Sequence, residues 1–184
     1  MTSAAGHSII IAPIGNFAQA LFDAIHSETR RIFGFQSEVR AVLDDLSFAY
    51  DLNRNQYHST LILDRLAKNL PPTALRILAV VQVDLFIPIL THVYGEAQLG
   101  GKACVLSTFR LNEGLPATQM GDSFLERVTK EAIHELGHTF NLRHCKDHTC
   151  LMHYCRDEHD VDRKSNDLCR YCRIMLEDEI KRTN

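Results

Sequence analysis

The chain has 184 residues, 45% of them apolar and 23% charged, with a net charge of −3. That balance fits one globular domain with a core of its own, and the mild acidity offers no basic surface to nucleic acid or an anionic membrane. No apolar run approaches the ~20 residues of a spanning helix, and Ile9-Ile10-Ile11 is too short for a signal peptide, so a cytoplasmic, reducing setting is expected for the six cysteines.

His7 to Ile14 is a compact apolar run ending at Gly15 and reads as a buried strand. Ala18 to Phe33 follows with helical periodicity through Leu21, Phe22, Ile25 and Ile32, and Gly34 is a fitting stop. Phe35 to Leu43 alternates like a strand, and Asp44 to Gln56 reads as a loop. Tyr57 to Leu70 is a second helix, halted by Pro71-Pro72, and Ile77 to Phe86 is strongly strand-like. Strand, helix, strand, helix, strand argues for a parallel or mixed sheet with covering helices. Two short strand-like runs, Val93 to Gly95 and Ala103 to Leu106, flank Gly100-Gly101, which suits either an edge strand or a simple hairpin turn. Gly114 to Gly121 reads as a loop.

The next helix carries the chemistry. Ser123 and Glu126 have capping-box spacing, and Leu125, Val128, Ala132 and Leu136 form an apolar stripe. Along it runs His134-Glu135-x-x-His138. Residues four apart share a helix face, so both imidazoles can hold one ion, and neutral imidazole suits zinc. Glu135 adjoins the first ligand, placed to act on water. His144 comes six residues after His138. A continuing helix would turn it away, so the chain must fold back, and Asn141 is a residue that tolerates the positive φ this needs. The spacing resembles the metzincin zinc-peptidase signature, which has glycine where this chain has Asn141.

From residue 144 the composition shifts to Cys, His, Asp and Arg, too poor in aliphatics for a separate core. Cys145, Cys150, Cys169 and Cys172 have the spacing of a Cys₄ structural zinc site. A redox C-x-x-C and disulfides are competing readings, and Cys155 competes with Cys150 for a ligand place. Cys104 reads as a small buried residue.

Taken together, His134-Glu135-x-x-His138-x-x-Asn141-x-x-His144-Cys145-x₄-Cys150-x-Met152, followed by Cys169-x-x-Cys172, resembles the archaemetzincin family of zinc metallopeptidases over about residues 130–172. The stretch Tyr94 to Gly101 also resembles that family. The resemblance implies a catalytic zinc on His134, His138 and His144, Glu135 as general base and acid, and a second zinc on Cys145, Cys150, Cys169 and Cys172. It implies Met152 as a methionine turn beneath the site, and a small cytosolic peptidase, in some members aminopeptidase-like. Tyr154 is either a packed aromatic or, as in some other metzincins, a donor to the oxyanion or a further ligand.

The expected architecture is thus α/β: a mixed, mostly parallel sheet with covering helices in 1–143, an active-site helix over about 123–142, and a Cys-rich zinc-stabilised part in 144–184, all within one domain. The expected protein is a monomer acting on peptide or protein. The rival is a two-zinc binding or scaffold protein with little turnover.

Overall fold

The computed structural model describes residues 8–115 and 121–183. Strand β1 (Ser8–Ile14) leads into helix α1 (Gln19–Phe33), which stops at Gly34 with φ 77°. Then come β2 (Ser37–Val39), a 3₁₀ turn at Ser47–Ala49, β3 (Tyr50–Asp51), β4 (Gln56–His58) and α2 (Ser59–Lys68). After β5 (Ala74–Val81) follow β6 (Leu85–Phe86), β7 (Gly95–Ala97), β8 (Ala103–Ser107), α3 (Asp122–Thr139), α4 (Glu158–Arg163) and α5 (Arg170–Thr183).

The main sheet has the order β2-β1-β5-β8-β7, parallel except for the antiparallel β7–β8 pair. Its inner strands are almost wholly apolar because both faces are covered, and the one charged residue in them, Arg76 of β5, is buried against the Phe140 ring. In β1, Ile9 and Ile11 point into a cluster with α1 and α3, while Ile10 and Ala12 point into another with α2. β5 divides the same way, with Leu78 and Val80 on one side and Ile77, Ala79 and Val81 on the other.

Several expectations are corrected. The strand expected over Ile77 to Phe86 is two strands: the chain leaves the main sheet after Val81, and Leu85–Phe86 joins a small sheet of order β3-β4-β6. That sheet takes in Tyr57, expected in a helix, and part of the expected 44–56 loop. The β7–β8 connection is a hairpin and β7 is also the sheet's edge, so both readings of the Gly100-Gly101 region hold. No side chain caps α3: its N-cap is Gly121, Ser123 is already helical, and Glu126 pairs with Lys130 at 2.8 Å. His7 and residues 116–120 of the expected loop lie outside the described residues.

The segment after residue 144 contributes its few apolar side chains to the main core. Leu151, Met152, Val161, Leu168 and Leu176 are buried in the α1–α3 cluster. Arg127 of α3 fixes α4 with a two-pronged bond to Asp162, both contacts 2.7 Å. Among the described residues no helix is long and apolar enough to cross a membrane.

Candidate active site and metal centres

The fold-back after α3 is a Schellman motif with asparagine in the glycine position. Asn141 has φ 63°, its N–H donates to the His138 carbonyl at 2.9 Å, and the Leu142 N–H reaches back to Gly137 at 3.1 Å. The β7–β8 hairpin adds a further cap, as Gly100 N–H donates to the same His138 carbonyl at 2.9 Å. The reversal turns His144 back toward the helix. Its ring centre lies 5.3 Å from that of His134 and 4.8 Å from that of His138.

One ring nitrogen from each of His134, His138 and His144 falls within 4.8 Å of the others. His134 Nδ1 lies 3.0 Å from the Leu151 carbonyl and His138 Nδ1 2.7 Å from the Leu142 carbonyl. A carbonyl only accepts, so both Nδ1 atoms carry the proton and both Nε2 atoms present bare lone pairs. Those lone pairs face each other at 3.1 Å. Left alone they repel. A cation between them turns repulsion into coordination, and tetrahedral zinc with ~2.0–2.1 Å bonds separates neighbouring nitrogens by about 3.3 Å. Desolvation also favours the neutral form a metal needs, most strongly at the buried His134 and least at His144, which is exposed. Desolvation drives His134 well below the ordinary imidazole range, helped by the Lys164 ammonium, lowers His138, and brings His144 down to about 4. The donor set fits zinc.

Glu135 follows His134 on the helix, is buried, and packs against β7. A Cβ at Gly95 would stand 2.7 Å from Glu135 Cγ and Oε1, so only glycine leaves room for this carboxyl. Burial first, then the neighbouring Glu131, raises the Glu135 carboxyl well above the ordinary range. Met152 is fully buried under the helix, where a Cβ on Gly137 would come 2.6 Å from its Sδ. Tyr154 is exposed, with its ring centre 5.1 Å from that of His144. All three histidines, Glu135 and Tyr154 line a cavity of about 630 Å³ along the free edge of β7.

The second cluster gathers the sulfurs of Cys145, Cys150, Cys169 and Cys172 within 4.8 Å. Cys145 and Cys169 sulfurs are 3.8 Å apart, the edge of a tetrahedron with ~2.3 Å metal–sulfur bonds. Burial pushes the Cys150 thiol up to about 11 and raises that of Cys172 too. Cys169 is lowered because bonds from Cys172, Cys145 and Cys150 outweigh its own burial cost. Four thiolates cannot crowd so closely without a cation, and the set fits zinc. Cys155 stands outside the cluster and lines the cavity. All six cysteines are free, and Cys104 is buried.

Sequence reasoning missed four features. Two are the backbone carbonyls of Leu151 and Leu142 that orient the imidazoles. The third is the fit of Gly95 to Glu135. The fourth is a buried ion pair between Lys164 and Glu131, 2.5 Å apart, with Lys164 Nζ also 3.5 Å from His134 Nδ1. Glu131 stands one turn before Glu135, the one signal in the sequence that could have drawn attention to it.

A mixed sheet whose open edge runs beside a helix bearing this histidine pair, with a third histidine returned by a turn, is the arrangement of a zinc metallopeptidase. Comparison with known proteins narrows the class. The pattern of Peptidase family M54 matches residues 21–178, and the chain belongs to that family. The archaemetzincin of Methanocaldococcus jannaschii is 35% identical over 173 residues, which is 92% of this chain and 93% of that protein. The crystal structure of archaemetzincin from Methanopyrus kandleri is similar with a TM-score of 0.83 and 29% identity, covering 98% of both chains. That of archaemetzincin from Archaeoglobus fulgidus, complexed with malonate, gives 0.77 at 34% identity, covering 91% of this chain and 99% of that one.

Proposed function

We propose that this chain hydrolyses peptide bonds at a zinc centre held by His134, His138 and His144, with Glu135 as proton carrier, and that Cys145, Cys150, Cys169 and Cys172 hold a second, structural zinc. The observation that carries the reading is the placement of a buried carboxyl, Glu135, beside three convergent imidazoles in the wall of an open cavity. Zinc at the three imidazoles would supply a Lewis acid for the scissile carbonyl and acidify a water. Glu135 takes the proton from the attacking water and delivers it to the leaving nitrogen, a transfer worth typically 10²–10⁴-fold. The carbonyls of Leu151 and Leu142 hold two imidazoles in the tautomer that leaves Nε2 free. Tyr154, exposed with its ring 5.1 Å from that of His144, would donate its hydroxyl to the oxyanion.

A substrate lies extended against β7, gaining main-chain bonds from Gly95–Ala97. The docking edge in this reading is β7 and not β8, because β8 is an inner strand of the sheet. Against the scaffold reading stands Glu135 itself, since a purely structural metal site has no use for a carboxyl fitted beside its ligands.

The test is cleavage of a broad peptide library by the zinc-loaded chain, with and without a chelator, and with N-terminally acetylated twins. Chelator-sensitive cleavage restored by zinc supports the reading, and loss of cleavage on acetylation supports the aminopeptidase-like preference that the resemblance implies. A zinc-loaded chain that cuts no peptide overturns it in favour of the scaffold.

A further inference from the structure

Five charged side chains besides the imidazoles line the catalytic cavity: Glu96, Glu131, Glu135, Arg143 and Arg156. The protein itself hydrogen-bonds or pairs two of the three carboxylates and buries the third. Glu96 receives the Ser59 hydroxyl and, at 2.9 Å, that of Thr60. Glu131 is paired with Lys164 at 2.5 Å, and Glu135 is packed against Gly95. The arginines are different. Both are exposed, and among the described residues neither guanidinium has a carboxylate within 4.0 Å. Arg156 anchors only its backbone, whose N–H donates to Asp160 at 3.1 Å.

The placement of these cations follows from the site. Arg143 directly precedes His144, and Arg156 lies two residues beyond Tyr154, whose ring stands over His144. Both line the same cavity as His144 and Tyr154, while β7 supplies its strand edge. Apolar side chains such as Ile87, Val93 and Leu99 complete the lining and offer no competing charge. A planar guanidinium fork without a partner, in a concave wall, favours a carboxylate and repels an ammonium.

We propose that Arg143 and Arg156 make this cavity selective for peptides that carry a carboxylate close to the scissile bond. The carboxylate belongs to an acidic side chain or to a free C-terminus, and both present the same chemistry. The inference rests on the peptide-hydrolysis reading for its substrate class, but binding tests it separately from turnover.

The experiment uses zinc-loaded chain carrying Glu135→Gln, which binds without cutting, and fluorescent peptides matched except for Glu, Gln or Lys at one position. Each peptide is made as the free acid and as the C-terminal amide. Anisotropy is expected to show a carboxylate form bound about tenfold more tightly than its neutral twin at low salt, with the gap narrowing as salt rises. Whether the gap follows Glu against Gln, or acid against amide, identifies the source of the carboxylate. Adding Arg156→Gln or Arg143→Gln should shrink the gap about threefold each, leaving the neutral peptide unchanged. Arg156→Lys should retain part of it. Zinc content is measured in every variant, and if Arg143→Gln disturbs the neighbouring His144, the Arg156 variants alone decide.

Equal binding of all forms, no binding of any, or a gap that survives both arginine replacements overturns the proposal. Should acidic peptides bind in an arginine-dependent way while the wild-type chain cleaves nothing, the selectivity stands and the hydrolysis reading fails. Cleavage indifferent to charge has the opposite meaning.

Discussion

Gly95 and Glu135 meet across the seam between β7 and α3 so closely that a methyl group on Gly95 would stand 2.7 Å from the Glu135 carboxyl and 2.6 Å from the Val105 carbonyl. The edge strand and the Glu135 carboxyl are thus fitted to each other. Gly95→Ala should force Glu135 aside or open the β7–β8 pair. Since a misplacement of about 1 Å costs on the order of 10² in rate, peptide hydrolysis should fall at least tenfold while zinc content holds. Unchanged kcat/KM in this variant would remove the fit from the account.

The turn at Asn141 offers a second prediction. Its φ of 63° is one that asparagine and glycine adopt readily and β-branched residues resist. Asn141→Gly should fold and bind zinc like the wild type. Asn141→Val should lose about 1–2 kcal/mol in denaturant titration and hold zinc less well, because the turn is what returns His144 to the site. Equal stability of the two variants would contradict the argument.

Lys164 and Glu131 form an ion pair that is almost fully buried, with side-chain exposures of 0% and 4%. Removing one partner strands the other's charge. Lys164→Met alone should therefore destabilise by about 3–5 kcal/mol, and adding Glu131→Leu should recover most of that loss. A double-mutant cycle in urea reads the coupling directly, and additive losses would mean that the pair is not coupled.

Cysteine chemistry gives the fourth. Zinc-binding energy in a segment with so few apolar side chains is largely folding energy. Cys169→Ser should raise hydrogen exchange across residues 145–172 and α5, with the sheet little changed. A chelator should strip the three-histidine site first. The core contacts of Leu151, Met152, Val161 and Leu168 limit the damage to loosening rather than complete unfolding. Unaltered exchange in the variant would argue against metal at the four sulfurs.

How much was legible beforehand follows from the range of each signal. β1 and α1 announce themselves through local pattern, an apolar run and a 3.6-residue stripe, and Gly34 ends α1 where expected. The histidine and cysteine sets are visible because metal spacing is written in the sequence. The small β3-β4-β6 sheet is not, since strands of two or three residues leave no periodicity to read. Lys164 and Glu131 look like ordinary solvent-facing charges until the fold brings them together. The α3 capping box misled because Ser123 and Glu126 have the right spacing inside the helix instead of at its start. Gly95 is one glycine among nine, and only the approach of Glu135 gives it meaning.

The central claim is that Glu135 carries the proton while the imidazoles hold the metal. The direct measurement is peptide hydrolysis by Glu135→Gln alongside zinc content for the same sample. Glutamine keeps the size and loses the base, so zinc and folding should match the wild type while kcat/KM falls by on the order of 10² or more. His138→Ala should lose both the metal at that site and the activity. Near-full turnover by Glu135→Gln with its zinc in place would contradict the account.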